Sequence, residues 1–165
     1  MNTAPRNRKT PQETTVRLPC ACANLRRADR IVTQLYDDAL RPSGLRITQF
    51  TLLQALTLAP GISQKGLAEL LGIDSTTLTR TLALLRRRGY VRSETGDDRR
   101  ALRLFLTPAG QREYKRVLPY WQSAQKRLRQ SLGEANWNHI LNAAVRTAGV
   151  RSIHHVLRTR RDTTR

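Results

Sequence analysis

A chain of 165 residues with 39% hydrophobic content can bury the core of one ordinary domain, and 5% aromatic residues make that core mainly aliphatic. The net charge of +18 favours a polyanionic partner, DNA or RNA before an anionic membrane surface. Two cysteines at i and i+2 exclude a disulfide framework, and no apolar run approaches the roughly 20 residues of a membrane span. Residues 1–17 are basic, with no apolar segment and cleavage site after them, so a cytoplasmic location without membrane contact is expected.

Part of the charge lies at the ends. Arg6, Arg8, Lys9 and Arg17 face only Glu13 in residues 1–17, and five arginines from Arg151 to Arg165 face only Asp162 in the last fifteen. The part between them remains strongly basic. Residues 1–18, rich in Pro, Thr, Asn and Arg, read as a basic disordered arm, and residues 150–165 as a basic tail.

From Cys20 the pattern is helical, with Leu25, Ala28, Val32, Leu35 and Ala39 forming one apolar stripe until Arg41-Pro42-Ser43-Gly44 ends it. A second helix follows in ITQFTLLQALTLA, where Phe50, Leu53, Leu56 and Leu58 face inward and Pro60-Gly61 stops the run. Two short helices come next, QKGLAELLG and IDSTTLTRTLALLRRRG, with Gly72 closing the first and Asp74 or Ser75 capping the second. After Gly89 the period drops to two: YVRSET and ALRLFLT read as a β-hairpin around the charged tip TGDDRR. Pro108 then opens a long helix with Tyr114, Val117, Trp121, Ala124 and Leu128 on one stripe and a kink expected at Pro119. A last helix places Trp137, Ile140, Leu141 and Ala144 together. The expected fold is mainly α with a small β-hairpin wing: a winged helix-turn-helix domain plus a helical dimerisation region.

The helix before the hairpin carries the sharpest signal. With Leu78 as origin, Leu82 and Leu85 fall within about 40°, while Thr76, Arg80, Ala83 and Arg87 fall near 180°. An ordinary solvated face would mix charges, yet no acid occurs from Ser75 to Arg88. Arginine donates in pairs to guanine, hydroxyls serve several bases, and a methyl meets thymine, so this face suits a major groove. Thr77 and Thr79 flank it, and Ser75 lies near the N-terminus, where backbone N–H groups meet phosphate. At the hairpin tip an Asp98–Arg100 pair would stiffen the turn and aim Arg99 at the minor groove. The opposing reading is a solvated charged turn.

LRITQFTLLQAL, GLAELLGIDSTTLTRTLALLRRRGYVRSE, DDRRALRLFLTPAG and SLGEANWNHIL together resemble the MarR family of transcriptional regulators over roughly residues 22–148. The most specific stretch is Asp98-Arg99-Arg100 followed by Leu104, Leu106, Thr107 and Gly110. The resemblance implies a MarR-like domain over 19–149, with a winged-helix DNA-binding part at 47–107 and dimerisation helices at 20–41, 108–132 and 134–148. It implies a homodimer on a pseudo-palindromic double-stranded operator, a recognition helix at 75–88 and a wing at 95–102. Ser75, Thr76, Thr77, Thr79 and Arg80 fall where family members contact DNA, and Arg87, Asp98, Arg99 and Arg100 complete the candidate set. A small-molecule effector is common in the family. No cofactor is implied.

Cys20 and Cys22 remain open to three readings. If Pro19 begins the first helix, both thiols lie in its first turn, where free N–H groups, the helix dipole and Arg17, Arg26 and Arg27 favour a thiolate. Some family members, the organic hydroperoxide repressors, use a cysteine near the start of this helix, with a tyrosine such as Tyr36 further along. A disulfide between i and i+2 of a helix requires the turn to unwind, since the two side chains point apart. The second reading is a soft metal or metalloid site, formed by cysteines from both subunits or completed by His139, His154 or His155, against which stand the lack of a third cysteine and of a tight ligand spacing among the histidines. The third is two small interface residues.

These features lead to a dimeric sequence-specific regulator, in the main a repressor, relieved by a small ligand or by thiol modification. The competing reading is a non-specific architectural DNA-binding protein. No glycine-rich phosphate loop, metal triad or Ser–His–Asp set is present, so an enzyme is not expected.

Overall fold

The computed structural model describes residues 18–95 and 102–162. Helix α1 spans Ala21–Leu40 and runs into a 3-10 turn, Arg41–Ser43; α2 spans Ile47–Leu58. Strand β1, Ile62–Ser63, leads into α3, Gln64–Leu71, and α4, Ser75–Arg87. Strands β2, Val91–Thr95, and β3, Leu102–Leu106, precede α5, Pro108–Asp162. Each boundary has a local cause. Ser63 caps α3 by accepting from the Gly66 N–H, Gly72 ends it in a left-handed conformation, and Asp74 caps α4. The N-terminus of α2 is tied back to α1, because the Asp37 carboxylate accepts from the Ile47 N–H at 2.7 Å.

The wing sheet has three strands in the order β1-β3-β2, all antiparallel, where the sequence pattern predicts two. Ile62 pairs with Leu104, and Val91 with Leu106. The additional strand is two residues long, too short for an alternating signal. It arises because the Gly61 N–H donates to the Leu104 carbonyl at 2.9 Å and Ser63 must be extended to cap α3.

One aliphatic core joins these parts. Leu78, Leu82 and Leu85 of α4 are fully buried, as the angular count requires, beside Phe50, Leu53, Leu56, Leu67, Leu104 and Val117. Phe50 of α2 stacks between Tyr114 at 5.5 Å and Trp121 at 5.9 Å on α5. Glu113 is buried and holds Arg116 through two hydrogen bonds, and Arg116 donates on to the Ser43 carbonyl at 3.0 Å. The long helix is thereby fastened to the α1–α2 turn.

Two expected inward faces, at Leu58 and along α1, are corrected by the structure. Leu58 is 80% exposed, since α2 ends there and its last turn projects past the core. On α1 the buried positions are Tyr36 and Leu40, whereas Leu25 and Ala28 face outward, because α1 begins before it reaches the other elements. Trp137 alone of the last stripe is buried within the chain; Ile140, Leu141 and Ala144 are exposed. Helical dihedrals run through Pro119, and the break in α5 falls instead at Gly133, with φ 73° and ψ 159°. That backbone region is accessible essentially only to glycine. Arg129 and Glu134 bridge the break through two hydrogen bonds of 2.6 and 2.7 Å.

Candidate nucleic-acid interface and the thiol pair

Helix α4, the expected recognition helix, presents to solvent the face the sequence assigns to it: Ser75, Thr76, Thr77, Thr79, Arg80, Ala83 and Arg87 are all exposed. Their chemistry is not equivalent. Asp74 accepts from the Thr77 N–H at 2.9 Å and from its hydroxyl at 2.6 Å. The Thr79 hydroxyl donates to the Ser75 carbonyl at 2.7 Å and accepts from the Gln64 amide at 2.8 Å. Both hydroxyl protons are thus spent within the fold. The side chains of Ser75, Thr76, Arg80 and Arg87 make no hydrogen bond or ion pair among the described residues. A helix surface of unspent hydroxyls and guanidinium groups, anchored by three buried leucines, has the donors that base edges and phosphates accept. The two hydrogen bonds from Thr77 hold the Asp74 carboxyl below the usual carboxylate range. The cap is therefore charged at neutral pH, at the helix end where negative charge is favoured.

Several residues that spacing could not single out support this face. Gln64, at the start of α3, braces Thr79 and fixes how α3 and α4 meet. Arg86 belongs to the same basic run as Arg87, yet turns away and donates to the Ser93 hydroxyl of β2 at 2.7 Å. Arg92 lies over the Phe105 ring at 4.9 Å and pairs with Glu94, while Arg103 donates to the Gly61 carbonyl at 3.1 Å. The described base of the wing is stiffened by arginines that act within the protein. These contacts cross between elements and leave no periodic trace in the sequence. The tip residues Asp98, Arg99 and Arg100 lie outside the described residues.

At the other end of α1, the helix begins one residue after Cys20. Cys20 is its N-cap, with extended dihedrals of φ −88° and ψ 118°, and Cys22 alone of the pair lies within the first turn. The expectation that both thiols share helical geometry is corrected accordingly: with Cys20 extended, the two residues do not stand at helical i and i+2 positions. Both cysteines are exposed free thiols. Asn24 clamps the approach: its side-chain amide donates to the Leu18 carbonyl at 2.6 Å and the Cys20 carbonyl at 2.8 Å, and its oxygen accepts from the Leu18 N–H at 3.3 Å. Among the described residues no three His, Cys, Asp or Glu side chains gather where a metal ion could be held. His139 is exposed, and the side chains of His154 and His155 lie outside the described set. No described helix is long and apolar enough to cross a membrane.

Comparison with known proteins places this geometry. The MarR family model matches residues 43–101, the segment from the α1–α2 turn through the wing tip. The crystal structure of the M. tuberculosis transcriptional regulator MosR in complex with DNA superposes with a TM-score of 0.72 at 36% identity, covering 81% of this chain and 97% of that one. The transcriptional repressor CouR bound to a 23-mer DNA duplex gives a TM-score of 0.71 at 27% identity, covering 78% of this chain and 92% of that one. The uncharacterized HTH-type regulator YwoH of Bacillus subtilis (strain 168) is 27% identical over 88 residues, 53% of this chain, and the match spans 64% of that relative's length. With the winged helix-turn-helix in place, Thr76, Arg80 and Arg87 of α4 exposed and unengaged, and MosR matched at 36% identity over 97% of its length, the chain belongs to the MarR family of DNA-binding transcriptional regulators.

Proposed function

We propose that the chain acts as a homodimeric, sequence-specific repressor whose hold on DNA is released by a small ligand or by modification of its thiols. The observation that carries the DNA-reading half is the outward face of α4, where Thr76, Arg80 and Arg87 are exposed and unengaged over a rigid leucine base. Arg80 and Thr76 read base edges, Arg87 and Ser75 meet phosphate, and Arg99 of the wing enters the adjoining minor groove. Thr77 and Thr79 position the helix. MosR and CouR, both solved on DNA, support this assignment by analogy.

Apolar surface on the helical region supports the dimer. Leu25 and Ile31 on α1 and Ile140, Leu141 and Val145 on the last part of α5 are all exposed in the single chain, and a second copy is the natural cover for them. Two recognition helices about one DNA turn apart then read a pseudo-palindrome together. A charge of +18 and an acid-free α4 also favour non-specific binding, so an architectural role is the competing reading. Fluorescence anisotropy on the DNA upstream of the chain's own gene tests the proposal, with protein reduced, treated with mild peroxide, and carrying Cys20→Ser and Cys22→Ser. Tight reduced-state binding lost on oxidation only when the cysteines are present is expected. Equal binding in all three states would eliminate the thiol branch and leave a small ligand as the releasing signal.

A further inference from the structure

The two thiols do not stand alone. Cys20 and Cys22 line one open cleft of about 390 Å³ together with Leu18, Arg26, Arg27 and Arg30. Arg26 and Arg30 are one helical turn apart on α1, and neither forms an ion pair or hydrogen bond through its side chain among the described residues. Like charges at this spacing repel by a few tenths of a kcal/mol in an isolated helix, so helix stability does not account for them. Asn24 holds the Leu18–Cys20 turn against the helix and gives the cleft its wall.

Size, charge and chemistry select one class of reactant. Hydrogen peroxide is little larger than water, whose share of liquid volume is about 30 Å³, and fills little of a cleft this size. The cleft instead has the volume of small-molecule sites, roughly 300–1,000 Å³. Its cationic rim favours an anion, and its two thiols favour an electrophile that accepts two electrons. We propose that this cleft admits a small organic disulfide bearing carboxylates, and that Arg26 and Arg30 hold its carboxylates while the thiols reduce it. One cysteine, as thiolate, attacks a sulfur of the disulfide; that S–S bond breaks, a mixed disulfide forms, and one small thiolate leaves and takes a proton from water. The second cysteine, having lost its proton to water, attacks the protein sulfur of the mixed disulfide, forming the Cys20–Cys22 bond and releasing the second small thiolate. Two protein thiols are oxidised and one small disulfide is reduced to two thiols.

The inference rests on the thiol branch of the proposed function, and the test separates the two. Reduced full-length protein is mixed with dithiobis(nitrobenzoate), a dianionic disulfide, and with uncharged dithiodipyridine, and both rates are divided by those of free cysteine. In Arg26→Gln/Arg30→Gln the anionic-to-neutral rate ratio is expected to fall by about threefold or more, with the neutral rate retained as the check on folding. The wild-type ratio is expected to fall as salt rises from about 0.02 M to about 0.5 M, a reading that needs no variant. An unchanged ratio in the double variant, or a salt-independent one in the wild type, would overturn the anion-selective cleft. DNA binding by the oxidised product is read separately by anisotropy: loss of binding supports the switch, whereas full binding by protein carrying the Cys20–Cys22 bond would remove thiol relief.

Discussion

Gly110, the third residue of α5, lies against the backbone of Tyr90 just before β2, and replacing it with alanine tests how tightly the two segments are joined. A Cβ at this position would overlap the Tyr90 carbonyl oxygen, with the carbonyl carbon at 2.9 Å and Cα at 3.1 Å, all backbone atoms with no flexible end to yield. Relief requires the Tyr90 segment to move by about 1 Å, in a core where overpacking typically costs ~1–3 kcal/mol. That movement strains the Thr107 N–H to Tyr90 carbonyl bond of 3.0 Å and the Thr107 hydroxyl to Gly89 carbonyl bond of 2.6 Å. Each such bond contributes about 0.5–1.5 kcal/mol. Alanine's better helix propensity returns about 1 kcal/mol. The net loss is about 1–5 kcal/mol, which lowers Tm by roughly 2–20 °C for a chain of this size. Circular dichroism melting at fixed protein concentration reads it. Gly149, in the same helix with nothing within 4 Å of its notional Cβ, is the control, and its alanine variant should melt at or slightly above the wild-type temperature. A Gly110→Ala protein as stable as the wild type would refute the close approach.

Other consequences follow from single contacts. Arg80→Ala should cost about 1–3 kcal/mol on the operator and little on scrambled DNA; an equal loss on both by anisotropy would remove its base-reading role. Arg99→Ala should reduce the slope of log K against log salt by about one unit per wing contact, and an unchanged slope argues against that contact. Tyr36→Phe removes the hydroxyl that donates to the Gln125 side chain between α1 and α5, and should lower stability by about 1 kcal/mol in urea melts. Asp74 has a folded-state pKa below its unfolded one, so its cap stabilises above the unfolded pKa of about 3.9 and is lost as pH falls through the folded value. Between pH about 5 and about 2, Asp74→Ala should therefore lose less stability than the wild type; parallel pH profiles would contradict the cap.

Much of this architecture was legible because it is local. Leu78, Leu82 and Leu85 recur at helical spacing and are buried, and the opposite residues of α4 face solvent. Asp74 stands one residue before its helix, as capping requires. What escaped depends on contacts between distant segments. Two residues, Ile62 and Ser63, form a strand only because Leu104 lies beside them. Arg86 and Arg87 are identical neighbours, yet one braces Ser93 and the other stays exposed and unengaged among the described residues, a division that only the wing's position decides. The apolar stripes at Leu25 and Ile140, which the family resemblance assigns to a dimer interface, are exposed in the single chain. Hydropathy marks what prefers burial without stating which molecule buries it.

The central claim is that α4 reads sequence. Its most direct test is the ratio of dissociation constants for scrambled and upstream DNA, measured with reduced full-length protein at one fixed salt concentration near physiological. A ratio of roughly 10³ or more is expected for a dimer reading two half-sites. A ratio near one would mean that +18 of charge, and not the face of Thr76, Arg80 and Arg87, holds the DNA.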